Sequence, residues 1–591
     1  LPSVKLPNYM FNNKGGFDFE NTTSLWGLDK PSFSNGSAYA DLDNDGDLEI
    51  VINNVNSKPF LYKNLSVENT NNNYVRFKLI NKKNRNSFGA KCVLYTPGNV
   101  QYSETSSIRG MYSSSESEIH FGIGKEKKID SIEIYWPDQK KQVLYSLKEN
   151  KLHTIKYEPN RDIHKNHIDK TIFKDISIND NAPKYSHKEN FYDDYNKQIL
   201  LPHKFSQTGP ALTKGDVNGD GLEDFFIGGA SSKAGALFIQ TSENTFKESI
   251  SAPWKKHKYS EDIDATFIDS DSDGDLDLYV MSGGNEFEPQ NQIYFDRLYI
   301  NDGFGNFIFK KELLPEIFES GSVVISSDYD EDGDIDLFIG TKLKPWHYPE
   351  PSSSYLLENK NGIFTIDSIN SSLFKNWGMI NDAVWSDIDN DLDEDLIILG
   401  EWTSPTVYIN ENGVFYKKET PELDKYKGWW FSINEADIDN DGDMDLIAGN
   451  LGENFKYKAS KEFPFEVHYG DFDSNGNNDV VLSYYNYGKQ YPLRGFSCSS
   501  QQIPELQDKF EKYDMFASLD LKSVFGEKLN DVLNLKATDF SSLIFINNGS
   551  GFYTAKELPY RAQLSSVNDV LTSDFNNDGI IDILLIGNMY Q

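Results

Sequence analysis

Short apolar, β-prone runs alternate along the chain with acidic or Asn/Gly-rich turns, and two phrases of this kind repeat. The first recurs eight times. It reads DLDNDGDLEIVI from Asp41, DVNGDGLEDFFI from Asp216, DSDSDGDLDLYV from Asp269 and DYDEDGDIDLFI from Asp328. It returns as DIDNDLDEDLII from Asp387, DIDNDGDMDLIA from Asp437, DFDSNGNNDVVL from Asp471 and DFNNDGIIDILL from Asp574. Each acidic loop leads into a short apolar run of strand composition. The second phrase alternates with the first: RLYINDGFGNFIF from Arg297, SYLLENKNGIFTI from Ser354, TVYINENGVFYKK from Thr406 and LIFINNGSGFYTA from Leu543. Apolar alternation on both sides of an Asn/Gly turn predicts a β-hairpin. A unit thus supplies a strand, an acidic loop, a strand and a hairpin. Four strands per unit is what a propeller blade requires.

The loops are spaced by 53, 59, 59 and 50 residues from Asp216 to Asp437, then by 34, then by 103 before Asp574. The long gap contains a stretch from Ile503 to Asn534 with helical apolar spacing, so a helical insertion on one blade is expected near 503–534. The 34-residue gap is too short for a full blade with elaborations, which leaves the blade count open there.

Composition sharpens this picture. A chain of 591 residues exceeds one ordinary domain, and 38% hydrophobic with 14% aromatic residues is enough to fill large cores. The net charge of -35 repels phosphate backbones and argues against nucleic-acid binding. The acids are not spread evenly: the odd positions of the eight loops hold 34 of the 92 Asp and Glu residues. Such clusters repel themselves unless a cation sits among them. Two cysteines, Cys92 and Cys498, exclude a disulfide framework, and a bridge between them is not expected. No apolar run approaches a membrane span. The chain starts at Leu1 without a signal peptide and stops at Gln591 directly after a strand-like run, which reads as two cuts through a longer protein.

Within each loop, positions 1, 3, 5 and 9 carry Asp, Asn or Glu, and position 6 is nearly always Gly. Alternate side chains in a tight loop converge on one point. Calcium takes six to eight oxygens from carboxylates, amides and carbonyls. The candidate ligands are Asp41, Asp43, Asp45, Asp47 and Glu49; Asp216, Asn218, Asp220 and Asp224; and Asp269, Asp271, Asp273, Asp275 and Asp277. They continue with Asp328, Asp330, Asp332, Asp334 and Asp336, then Asp387, Asp389, Asp391, Asp393 and Asp395. The remainder are Asp437, Asp439, Asp441, Asp443 and Asp445; Asp471, Asp473, Asn475, Asn477 and Asp479; and Asp574, Asn576, Asp578, Ile580 and Asp582. Position 7, Asp275 in the third copy, offers its carbonyl. Position 12 is apolar and a strand follows, so this is not a helix-flanked EF-hand. All-oxygen donors argue against zinc and copper, and magnesium prefers more water. A solvated Asp/Asn turn would explain one copy, but not eight in one register. Two copies read as weaker: Leu392 replaces the expected Gly, and Asn475 and Asn477 lower the charge of the Asp471 loop.

These loops resemble the FG-GAP or VCBS repeats of integrin-alpha-like propellers, over most of residues 20–65 and 200–591. A second resemblance lies between Tyr74 and Tyr157, where Gly89-Ala90, Arg109-Gly110, His120-Phe121-Gly122 and Trp136-Pro137 match an ASPIC/UnbV domain. It implies a small β-rich domain. Together the modules resemble long cell-surface proteins of Bacteroidota, often lipoproteins of the outer membrane. The expected fold is all-β: a seven-bladed, alternatively eight-bladed, calcium-binding β-propeller plus a small β-rich ASPIC/UnbV domain. Residues 1–73 read as the terminal blade of an upstream propeller, 74–158 as the ASPIC/UnbV-like domain, 159–172 as a linker and 173–591 as the main propeller. The Asp41 loop could also supply a blade of the main propeller, with the ASPIC/UnbV-like module inserted.

Other chemistry is sparse. His187, Glu189 and Asn190 lie together in Tyr185-Ser186-His187-Lys188-Glu189-Asn190, where acid–base work competes with the simpler reading of a hydrogen-bonded brace. Aromatics gather at Trp346-His347-Tyr348, Gly400-Glu401-Trp402 and Gly428-Trp429-Trp430, as a stacking surface or, by the simpler reading, as core. No HExxH, GxSxG or phosphate-binding glycine loop appears. The leading expectation is therefore a non-enzymatic, calcium-stabilised surface module that recognises a protein or a glycan. The alternatives are a lyase-like polysaccharide-active enzyme and a structural subunit of an outer-membrane uptake or export complex.

Overall fold

The computed structural model describes residues 5–16, 18–110, 112–159, 161–162, 171–177, 182–242, 245–549 and 551–588, and the chain divides into two units, Leu1–Thr171 and Ile172–Gln591. Both are built from mainly antiparallel sheets joined by tight turns; in the first unit Leu152–Lys156 pairs parallel with Asn73–Ile80. The expected linker at 159–172 falls largely outside the described residues; within it, Arg161–Asp162 pairs on the edge of a sheet in the first unit.

In the first unit, Phe11–Gly15 pairs with Asp18–Asn21 as a hairpin. A three-stranded sheet follows, Ser34–Ala40, Glu49–Asn54 and Phe60–Tyr62. The rest of the unit packs a second three-stranded sheet, centred on Asn73–Ile80, against a five-stranded sheet that contains Lys91–Thr96 and Ser131–Tyr135. Val75, Phe77, Leu79, Cys92, Leu94, Ile132, Ile134 and Trp136 form the core between them. Alternation along each strand sends one set of side chains inward and the other to solvent.

The second unit is a succession of four-stranded sheets. Five are complete, beginning at Leu212–Gly215, Glu261–Ile268, Ser320–Ser327, Met379–Ser386 and Ser432–Ala436, the fourth of them carrying Gly428–Trp429 as an extra strand, and a sixth has the two strands Asp569–Ser573 and Asp582–Ile586. The first strand of each sheet lies against the first strand of the next. Second strands are buried on both faces. Leu278 and Val280 pack with Phe226 and Leu237 of the first sheet, while Tyr279 and Met281 pack with Leu337 and Ile339 of the third. The fourth sheet repeats this, with Ile397 and Leu399 against Leu446 and Ala448, and Leu396 and Ile398 against Phe338 and Leu356. Strands sandwiched between sheets bury both alternating sets, which is why the sequence shows apolar runs after each acidic loop.

The equation of one acidic loop with one successive blade fails at Asp471. The fifth sheet runs Ser432–Ala436, Asp445–Gly449, Leu543–Asn547, Tyr553–Glu557, so residues 450–542 are inserted between its second and third strands. The insert forms its own sheet, ordered Lys489–Pro492, Asp479–Asn486, Phe465–Gly470, Leu533–Ala537, with the Asp471 loop inside it. This explains the short 34-residue spacing: the sheet begun at Ser432 is interrupted before it is finished. The expected helices lie in the same insert, at Phe496–Gln502, Glu505–Lys509, Tyr513–Ala517 and Leu521–Phe525. They start before Ile503 and end before Asn534, and pack Leu506, Phe516, Leu521 and Val524 against Phe472 and Val481.

Candidate metal centres

All eight acidic loops join the first and second strands of a sheet. In the second unit their backbone path repeats closely. The carboxylate at position 1 accepts the amide of position 6 in all seven copies: Gly221 to Asp216, Gly274 to Asp269, Gly333 to Asp328, Leu392 to Asp387, Gly442 to Asp437, Gly476 to Asp471 and Gly579 to Asp574, at 2.7–3.1 Å. The position-5 side chain accepts the amide of position 7, for example Asp275 to Asp273 at 3.1 Å and Asn477 to Asn475 at 2.8 Å. These bonds wind the loop so that side chains 1, 3 and 5 face one centre. Oxygens of Asp269, Asp271 and Asp273 lie within 4.8 Å of one another, as do those of Asp328, Asp330 and Asp332, and those of Asp387, Asp389 and Asp395.

The winding needs a left-handed backbone at two positions. Position 6 is at φ 93 in Gly274 and φ 97 in Gly333, and Leu392 adopts the same conformation at φ 83. The Asp387 loop therefore keeps the common path and carries strain in place of glycine. Position 4 is left-handed as well, at Ser272, Glu331, Asn390, Asn440, Ser474 and Asn577, a requirement the frequent Asn at that position already signalled.

Position 9 plays a double role. Its carboxylate is buried and accepts the amide of the third strand: Gln240 to Asp224, Asn301 to Asp277, Asn359 to Asp336, Asn410 to Asp395 and Asn547 to Asp445, at 2.7–2.8 Å. Burial raises these carboxyls, Asp277 to about 6, Asp395 and Asp479 to about 7 and Asp336 to about 8. Asp271, Asp275, Asp330 and Asp389 are also pushed up, by burial and by neighbouring carboxylates. Backbone amides, chiefly those of Gly476 and Gly579, pull Asp471 and Asp574 down. Buried carboxylate oxygens without a hydrogen-bond donor remain on Asp275, Asp328, Asp336, Asp389 and Asp473 in the second unit and on Asp41 and Asp47 in the first. Orphaned hard oxygens that point into a ring of carboxylates fit a calcium ion.

A second set of residues ties the loops together, and sequence reading missed it. The third-strand Asn also donates its side-chain amide to the preceding sheet's loop: Asn301 to the Val217 carbonyl, Asn359 to that of Ser270 and Asn410 to that of Tyr329, each at 2.8 Å. The signal was the Asn in YIND, LENK and YINE, which had been read as turn chemistry alone.

The Asp41 loop in the first unit is built differently. Asp41 accepts from the Arg76 guanidinium, which also holds Glu116 at 2.9 Å. Lys63 lies 2.9 Å from Asp43 and 3.9 Å from Asp45, and its hydrogen bond pulls the Asp43 carboxyl down. A Cβ on Gly46 would fall 1.9 Å from the Tyr74 ring, and His120 bonds the Gly46 carbonyl at 2.8 Å.

The aromatic clusters are core. Tyr348, Trp402, Trp429 and Trp430 are buried, with Trp402 stacked on Phe465 of the insert at 5.9 Å, while half-buried Trp346 lies under Lys197. Beside them Glu401 is buried 3.2 Å from His203 and 3.8 Å from Lys342; burial opposes its charge, yet these two neighbours hold its carboxyl below the usual range. His187 and Glu189 are paired at 2.6 Å. Cys92 and Cys498 are free.

The family comparisons agree with these modules. Residues 80–162 match the ASPIC and UnbV family, and residues 216–280 and 387–448 match the FG-GAP-like repeat. The chain thus carries an ASPIC and UnbV domain and FG-GAP-like repeats. No curated protein matches it in sequence. Among solved structures it is similar to the V. cholerae biofilm matrix protein Bap1, at 12% identity over 66% of this chain and 78% of that one, with a TM-score of 0.25. It is also similar to Saccharomyces cerevisiae Sqt1, at 10% identity over 64% and 97% with a TM-score of 0.28. A third is a putative exo-beta-1,3-galactanase from Bifidobacterium bifidum, at 10% identity over 50% and 97% with a TM-score of 0.22.

Proposed function

We propose that the chain is a calcium-stabilised, propeller-like module of the cell exterior that binds a protein or glycan partner and does no chemistry itself. The observation that carries this reading is the row of buried, donor-free carboxylate oxygens in the loops. The six successive sheets of the second unit are its blades, one fewer than the count of loops, because the Asp471 loop serves the insert. Asp269, Asp271, Asp273 and Asp277, with the Asp275 carbonyl, would hold one ion, and the equivalent residues would hold the others. Each ion would neutralise a loop and, through position 9 and the third-strand Asn, brace two neighbouring sheets. FG-GAP-like repeats favour an extracellular setting, where calcium is plentiful enough for sites as weak as about 10⁻⁴–10⁻³ M. Attachment to an outer membrane belongs to the same proposal. Among the described residues no helix is long and apolar enough to cross a membrane.

Thermal unfolding with excess calcium and with a chelator, together with elemental analysis, tests this. Each ion that binds only the folded state contributes about 2.7 kcal/mol at a hundredfold excess over Kd, so several ions would produce a large chelator-induced drop. Roughly six to eight calcium ions per chain are expected, one for each occupied loop. An unchanged midpoint and no bound metal would mean that the loops are acidic turns.

A further inference from the structure

We propose a further cation site, separate from the acidic loops, in which Glu189, Glu261 and Glu286 with the Asn190 amide oxygen hold a hard divalent cation. Glu261 is 2% exposed and neither of its carboxylate oxygens has a hydrogen-bond partner. Glu286 directs its carboxylate to the same place. A Cβ placed on Gly284 would lie 2.8 Å from Glu261 Oε2 and 2.6 Å from Glu286 Oε2, so the two acids converge over a position that only glycine leaves open. The other Glu286 oxygen accepts from Asn190 Nδ2 at 3.1 Å, which leaves Asn190 Oδ1 buried and without a partner. Glu189 adds a third carboxylate, one oxygen bonded to His187 Nε2 at 2.6 Å and the other buried with no donor.

Among the described residues, the ion pair recorded for these three carboxylates is that of His187 with Glu189. Three acids gathered around the buried Glu261 carboxylate repel one another, and burying such a group unpaired is costly. Oxygen donors select a calcium- or manganese-like ion, with His187 fixing the orientation of Glu189 from behind. The site lies far from the loops. Glu261 begins the strand Glu261–Ile268, whose far end opens into the Asp269 loop, about 25 Å away at 3.3 Å per residue. The ion would pin the segment before the first sheet. Tyr185 of that segment bonds the Gly228 carbonyl at 3.0 Å, and Asp194 accepts from Asn285 at 2.8 Å. The rival arrangement is a proton shared between Glu261 and Glu286.

The full chain and its Glu261→Gln variant, each equilibrated with calcium or manganese and then desalted, separate the two. The expected result is one ion fewer per chain in the variant, together with opposite shifts in the unfolding midpoint. Glu261→Gln should raise the midpoint in chelator, because it removes an uncompensated buried charge. It should also shrink the gain that the metal confers. Equal ion counts, with the same midpoint change in chelator and in metal, would overturn the site in favour of the shared proton. Glu286→Gln, measured in the same way, guards against a folding defect peculiar to the first variant. The loops stay intact in both variants, so the difference in ion count reads this site whether or not the loops bind calcium.

Discussion

The Asp41 loop of the first unit and the seven loops of the second share one sequence phrase and differ in what completes them. In the second unit, position 1 closes onto the position-6 amide and leaves carboxylate oxygens without donors. In the first, a buried arginine takes one oxygen of position 1 and a lysine covers positions 3 and 5, while Asp41 Oδ1 and Asp47 Oδ1 keep no donor. The same acidic loop can thus be partly neutralised by side-chain cations or left without them. A motif alone does not tell which. What decides is whether a neighbouring element, here the strand Asn73–Ile80 with Arg76, delivers a cation.

The sharpest way to break this contrast is to remove the arginine. Arg76→Met leaves Asp41 and Glu116 buried without their partner, and breaking a buried ion pair costs about 3–5 kcal/mol. The variant should unfold earlier than the parent in chelator and recover part of the loss with calcium, a larger calcium gain than the parent's first unit shows. Differential scanning calorimetry with and without calcium reads both effects. A smaller effect is expected from Asn359→Ala in the second unit. It removes the amide that bridges to the Ser270 and Ile335 carbonyls and orphans buried groups. At about 1–3 kcal/mol per orphaned group, a loss of about 3 kcal/mol is expected, and calcium affinity measured by titration calorimetry should weaken with it. A loss confined to stability, with affinity unchanged, would show that the sheets do not share their loops. The smallest effect is a gain. Leu392 is 84% exposed and sits at φ 83, so Leu392→Gly relieves strain without emptying the core. The relief of about 1–2 kcal/mol is partly offset by glycine's backbone entropy of about 0.5–1 kcal/mol. A midpoint that rises by a few degrees is expected; a fall would mean that Leu392 makes a contact worth more than its strain.

Much of this architecture was legible in the sequence because it is local. The acidic loops, the apolar runs behind them and the Asn/Gly hairpins each fall within a dozen residues, and all appear where the pattern places them. What escaped is long-range. The insert of 450–542 splits one sheet, so Leu446 pairs with Phe545 across a stretch that reads, residue by residue, like another blade. The short spacing before Asp471 and the long gap after it, with its helical stretch, were the local hints of it. The bridging role of Asn301, Asn359 and Asn410 was written in the repeat, but their partners lie 84, 89 and 81 residues earlier. Glu261 is an ordinary acid in the sequence, and its meeting with Glu189 of the His187/Glu189/Asn190 phrase depends on how the segment before the first sheet crosses its neighbours. Arg76 likewise gave no sign, 35 residues after Asp41, that it would complete that loop.

Hydrogen exchange read by mass spectrometry, with calcium and then with chelator, measures the central contrast directly because it resolves each loop in the intact chain. Chelation should expose the amides around Asp216, Asp269, Asp328, Asp387 and Asp437 and the third strands they brace, while residues 41–49, held by Arg76 and Lys63, lose far less protection. Equal loss of protection in both units, or none in either, would contradict this contrast.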